Sequence, residues 1–79
     1  MKTHVKNYLK AYGYGEQDVI LCEVCGKQAV DLHHIEYLSR GGTNDAENII
    51  ALCRECHEKA HREEYKVDYL KQIHNEKYR

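Results

Sequence analysis

The feature that most constrains this chain is a repeated cysteine spacing. Cys22 and Cys25 form one C-x2-C pair, Cys53 and Cys56 form another, and no further thiol is present. Each pair places two thiolates on one small turn, and two such turns complete a tetrahedron around a zinc ion. Buried free cysteines would explain neither the repeated spacing nor the even count. Disulfides are the competing explanation. The N-terminal stretch MKTHVKNYLKAYGYGEQD, however, has no apolar core of signal-peptide length, so export to an oxidising compartment is not indicated. No run is long enough to span a membrane. The expectation is a soluble, cytoplasmic protein whose reduced cysteines hold one structural Zn2+.

Size makes the metal more than an ornament. A chain of 79 residues is one domain at most and lies where a hydrophobic core alone is marginal. With no Trp, no Phe and a strongly negative mean hydropathy, it has little apolar surface to bury. A structural zinc contributes about 10 to 16 kcal/mol in finger-like peptides. No repeat, low-complexity tract or linker divides the chain, so residues 1–79 read as a single domain.

Val5, Tyr8, Leu9 and Tyr12 fall on one face of a short helix, with Thr3 as its N-cap and Gly13 and Gly15 as its stop. VILCEVCGKQ reads as a strand running into a knuckle, where Gly26 permits a tight turn. The β-forming run in VDLHHIEYL predicts a strand over 30–35, and NIIAL predicts a second over 49–52. SRGGTNDAEN lies between them as a long loop, so the two strands make a hairpin. From Arg54 to about Tyr65 good helix formers predict a helix. Val67, Leu70 and Ile73, with Tyr69 nearby, mark a final one.

Four of the six histidines crowd the region between and beside the cysteine pairs. His57 and His61 are i and i+4, stacked on one helix face, a standard way to present two imidazoles to one ion. His33 and His34 are strand neighbours and point to opposite faces, so only one can join that ion in the same manner. A hairpin packed on the helix would bring His33 towards the pair. Three imidazoles then form a second, open metal site.

In this order and spacing, Cys22, Cys25, "DLHHI", "SRGG", Asn48 in "ENIIAL" and "CRECH" resemble the HNH endonuclease family. Its core reads C-x2-C, a His pair or Asp-His, a GG loop, an Asn, and C-x2-C-H. The resemblance covers about residues 22–61, half of the chain. It implies an α+β fold: a small ββα-metal (His-Me finger) core stapled by a four-cysteine zinc, flanked by N- and C-terminal helices. By the same resemblance His34 is the general base that activates water. His33 and His57 match metal-ligand positions, and His61 fits the further ligand of colicin-like members. Asn48 ties down the long loop and thereby orients His34. The product would carry a 5′-phosphate and a 3′-hydroxyl. Many members have a proline shortly after the His pair, where this chain has Glu36, Tyr37 and Leu38.

The chemistry is coherent on its own terms. Phosphodiester hydrolysis needs a nucleophile made from water and a cation to neutralise charge on the phosphate and leaving oxygen. An imidazole, with an ordinary pKa of about 6.5, is a base suited to neutral pH. Mg2+ prefers oxygen ligands, whereas Mn2+, Ni2+, Co2+ or Zn2+ suit imidazole better. Activity is expected with several of these ions, and tight Zn2+ at the second site could inhibit.

The expected partner is DNA, taken as double-stranded, without a membrane. The net charge of −1 does not announce a nucleic-acid binder, but a local basic face is enough. Lys2, Lys6 and Lys10 mark one end; Arg40, Arg54, Lys59, Arg62 and Lys66 surround the site in sequence. Of these, Arg40, Arg54, Lys59 and Arg62 are the candidate DNA contacts, against the plainer reading of ordinary solvated charges.

Two other readings compete. HEKAH also fits the HExxH pattern of zinc proteases, with Glu58 as base, but that leaves His33, His34, Asn48 and both C-x2-C pairs unexplained. A non-catalytic zinc module that binds nucleic acid or a partner protein would use the same fold, yet has no need of a base beside its metal. Sequence specificity, nicking versus double-strand cutting, biological role and oligomeric state are not legible. So small a chain has few surfaces for base reading, which favours weak specificity or reliance on a partner protein.

Overall fold

A computed structural model describes residues 1–78. Helix α1 spans Thr3–Tyr12, strand β1 Asp31–His34, strand β2 Ile49–Leu52, helix α2 Arg54–His61 and helix α3 Val67–Lys77. Short 3-10 turns at Leu38–Arg40 and Ala46–Asn48 punctuate the loop between the strands. The result is the small α+β architecture that the family resemblance implies. Among the described residues no helix is long and apolar enough to cross a membrane.

β1 and β2 pair antiparallel, with Asp31 opposite Leu52, Leu32 opposite Ala51, His33 opposite Ile50 and His34 opposite Ile49. Every residue of β2 is buried, because this two-stranded sheet is covered on both faces. Ile50 and Leu52 face α2 and α3, where they pack with Ile35, Ala60 and Leu70. Ile49 and Ala51 face α1 and pack around Tyr8, Tyr12, Leu32 and Tyr78. A continuous apolar run such as IIAL is what a doubly covered strand requires.

Several boundaries differ from expectation for physical reasons. Thr3 is not the N-cap of α1; Lys2 occupies that position without a side-chain cap bond, and Thr3 is already helical. The stop at Gly13 is as expected, with φ of +76° and its N–H on the Leu9 carbonyl. The VIL strand reduces to one bridge between Leu21 and Gln28, because the knuckle begins at Cys22, whose carbonyl accepts from Gly26 N–H at 2.9 Å. Gly26 has φ of +83°, as a turn of that tightness needs. β1 is two residues shorter than 30–35, though Val30 N–H still reaches the Leu52 carbonyl and Ile35 N–H the Asn48 carbonyl. α2 ends at His61, not Tyr65: Glu63 takes φ of +61° and Glu64 N–H closes on the Lys59 carbonyl, which turns the chain into α3.

The pieces are tied by a buried polar cluster centred on Glu23, inside the first cysteine knuckle. Its carboxylate is fully buried and meets His74 Nδ1 of α3 at 2.7 Å. The other carboxylate oxygen accepts from Tyr8 Oη at 2.8 Å and from the Ala51 N–H at 2.9 Å. His74 Nε2 lies 3.0 Å from the Ala46 carbonyl and 2.9 Å from Tyr12 Oη. One carboxylate thus links the knuckle, α1, β2, α3 and the loop before Asn48. Removing this carboxylate leaves buried donors without an acceptor, at a cost of about 1–3 kcal/mol for each unsatisfied group, whereas an exposed pair contributes about 0–1 kcal/mol. Glu23→Ala is therefore expected to lower unfolding free energy by the larger amount in urea titrations of zinc-loaded protein. Glu55→Ala, which breaks the exposed Lys27–Glu55 pair at 3.2 Å, is expected to change it little.

Candidate metal centres and catalytic cleft

Two clusters of metal-ligating side chains flank the start and one face of α2. In the first, the sulfurs of Cys22, Cys25, Cys53 and Cys56 all lie within 4.8 Å of one another, with Cys25 Sγ 3.5 Å from Cys53 Sγ. A tetrahedral zinc with Zn–S of about 2.3 Å implies sulfur separations of about 3.8 Å, so four thiolates here fit that ion. Cys53 doubles as the N-cap of α2, its sulfur accepting the Cys56 N–H at 3.5 Å. Burial raises the Cys22 thiol, but the N–H groups of Cys25, Cys53 and Val24 more than offset it and lower the pKa to about 7. Burial and the neighbouring Cys53 and Cys22 sulfurs push Cys56 up instead. Four thiolates this close repel one another, and a bound cation offsets that repulsion and deprotonates a coordinating thiol outright.

The second cluster joins His33 of β1 to His57 and His61 of α2, their ligand nitrogens all within 4.8 Å. Nε2 of His57 and Nε2 of His61 are 2.9 Å apart. The His33 ring centroid lies 5.3 Å from that of His57 and 5.5 Å from that of His61. His33 is only 5 % exposed. Burial, followed by the nearby His57 and His61 rings, lowers its pKa to about 4, so at neutral pH it is the unprotonated imidazole a metal requires. Three imidazoles fit a borderline cation and leave coordination positions open.

His34 points to the other face of β1, yet reaches the same cleft as the three imidazoles, because it ends the strand. Its Nε2 lies 2.9 Å from Asn44 Oδ1, and the His4 ring rests against it with centroids 4.4 Å apart. Asn48 is buried and behaves as a loop tie. Its Oδ1 accepts from Glu36 N–H at 2.9 Å, while its Nδ2 donates to the Glu36 carbonyl at 2.9 Å and the Thr43 carbonyl at 2.8 Å. The second glycine of the loop belongs to this tie: a Cβ on Gly42 would collide with the Glu36 carbonyl.

Sequence reasoning missed four neighbours of the site. Asp31 Oδ2 lies 3.0 Å from His57 Nε2; the signal was its position two residues before His33, which puts both on one strand face. Lys2, the N-cap of α1, and His4 in its first turn line the cleft, and Asn44 contacts His34, none of which local spacing announces.

The candidate DNA contacts fall in different places. Arg54 stands three and seven residues before His57 and His61, on their side of α2. Arg40 lines a groove of about 370 Å3 that shares His33 and Tyr37 with the cleft, and Lys66 lies across it. Lys59 is on the far side of α2, its ammonium 5.7 Å from the Tyr65 ring centre. Arg62 is engaged by Glu64 at 2.7 Å and by Glu58 at 4.0 Å. Glu58, the base of the protease reading, is exposed beside Arg62 and is not among the residues lining the imidazole cleft.

Comparison with known proteins bears on this geometry. Residues 22–63, which are 42 of the 79, match the family model described as HNH endonuclease. The chain is 31% identical over 70 residues to the type IV methyl-directed restriction enzyme EcoKMcrA of Escherichia coli K12, covering 76% of this chain and 25% of that protein. It is 39% identical over 49 residues to Anaredoxin of Nostoc sp. PCC 7120, covering 60% of this chain and 64% of that protein. The chain therefore spans a quarter of the first relative and under two thirds of the second.

The buried His33 makes stability depend on pH. Its folded pKa of about 4 lies below the unfolded value of about 6.5. Between these values the unfolded chain binds more protons, so the His33 contribution is full above pH 6.5 and is lost as pH falls towards 4. Urea midpoints measured from pH 7 to pH 4 are expected to fall more steeply in the wild type than in His33→Ala, the difference isolating this group from the cysteine site.

Proposed function

The chain belongs to the HNH endonuclease family, and from that premise we propose that it is a metal-dependent endonuclease that hydrolyses phosphodiester bonds in duplex DNA. The observation that carries this reading is the convergence of His33, His57 and His61 beside His34 in one open cleft. A divalent cation held by the three imidazoles would neutralise charge on the scissile phosphate and the leaving oxygen. His34 then takes a proton from a water molecule, whose oxygen attacks phosphorus as the bond to the 3′ oxygen breaks. The products are a 5′-phosphate and, once the leaving oxygen is protonated, a 3′-hydroxyl. Asn48 serves this chemistry indirectly by fixing the loop between the strands.

The four cysteines are assigned a structural Zn2+, and the imidazoles an exchangeable cation among Mn2+, Ni2+, Co2+, Zn2+ and Mg2+. Arg54, on the histidine side of α2, is the best placed of the four candidate basic residues to meet a DNA phosphate.

Cleavage of supercoiled plasmid with each metal added separately tests the assignment. Wild type and Glu58→Ala are expected to cut, and His34→Ala to lose about 10²- to 10⁴-fold in rate. Equal cutting by His34→Ala would overturn the role of the base. No cutting with any metal, from folded protein carrying one zinc, would favour a zinc module that binds nucleic acid or protein without turnover. Affinity for duplex DNA is expected to fall steeply with salt, by about 0.9 in log slope for each phosphate neutralised. Arg54→Ala should flatten that slope by about one phosphate.

A further inference from the structure

The family match starts at residue 22, yet one side of the cleft is built by α1, which lies outside it. His4, in the first turn, sets its ring against His34 with 4.4 Å between centroids and 47° between planes. Asn7, about one turn on, donates from Nδ2 to the Asn44 carbonyl at 2.9 Å. The Asn44 side chain in turn places Oδ1 2.9 Å from His34 Nε2.

An amide oxygen can only accept, so the proton of a neutral His34 resides on Nε2. The lone pair is then on Nδ1, the nitrogen left to act as base. The loop gives this contact its fixity. Asn48 Nδ2 holds the Thr43 carbonyl at 2.8 Å, next to Asn44 in sequence, and Asp45 N–H reaches Thr43 Oγ1 at 3.3 Å. Asn48 therefore touches His34 only at one remove, and Asn44 makes the direct contact.

Resting on the nuclease reading above, we propose that Asn44, held by Asn7 and assisted by His4, is the positioning residue that sets the tautomer and ring orientation of His34. The first two turns of α1 are then part of the active site and not merely a flanking support. A general base is useful only in the tautomer that leaves its working nitrogen unprotonated, which is why a remote amide bears on rate.

The test compares wild type, Asn44→Leu, Asn44→Asp and Asn7→Ala as zinc-loaded proteins. Leu removes the acceptor at similar size, Asp keeps one, and the backbone carbonyl that meets Asn7 survives in both Asn44 variants. Zinc content and far-ultraviolet circular dichroism report whether each variant folds. In Asn44→Leu, kcat is expected to fall about 10- to 100-fold with KM within about twofold, and Asn44→Asp should recover most of the rate. Asn7→Ala should show a smaller loss of the same kind. Nitrogen-15 spectra of the histidine rings should show His34 as the Nε2–H form in the wild type and as a tautomer mixture in Asn44→Leu. A wild-type Nδ1–H form, or an unchanged kcat in Asn44→Leu, would overturn the proposal. If the wild type cuts no DNA, the nuclease reading fails on that result, while the ring spectra still decide whether Asn44 governs His34.

Discussion

The convergence of four sulfurs at the start of α2 is the constraint from which the rest of the molecule takes its position. Cys53 lies at the junction of β2 and α2, serving as both a cluster member and the helix cap. With that end of α2 anchored, the phase of the helix is determined. His57 follows Cys56 directly and His61 comes one turn later, so the direction in which both imidazoles project is set by the cysteine site. The other half of the cluster, Cys22 and Cys25, holds the segment that leads into β1. The hairpin and the helix are thus joined at one end, and the cleft forms where His33 of the hairpin faces the helix.

A second, metal-free fastening lies inside the first knuckle. Glu23 draws α1, β2 and α3 around a single buried carboxylate. The two fastenings share one short loop, so the knuckle that supplies Cys22 and Cys25 to the sulfur cluster also holds, through Glu23, the helix that carries His4 and Asn7. Through Ala46, His74 reaches the end of the loop that presents Asn44 and Asn48. Support for the cleft therefore comes from both sides of the sheet.

What could be read from the sequence was whatever local spacing expresses. C-x2-C twice, i and i+4 histidines, and a strand bearing adjacent histidines each encode their geometry within a few residues, and each is found in the structure. The fully buried β2 was legible because IIAL has only apolar side chains to bury. Contacts between distant segments were not legible. Nothing around Glu23 announces that it will meet His74, 51 residues later. Asn44 looks like any polar loop residue until α1 is packed against it. The end of α2 was misjudged because Arg62, Glu63 and Glu64 are good helix formers. Tertiary packing of α3 decided that boundary, at the cost of placing a glutamate at positive φ where glycine is favoured.

The three imidazoles come from two segments, with His33 separated from His57 by the whole interstrand loop. Of this cluster, an unfolded chain holds only His57 and His61 close in sequence, without the third imidazole and without His34 in place. The three-imidazole cluster is consequently complete only once the hairpin has packed on α2. Until then at most two of its three imidazoles stand together, and the site that sequence spacing alone can build is only half of the one the fold presents.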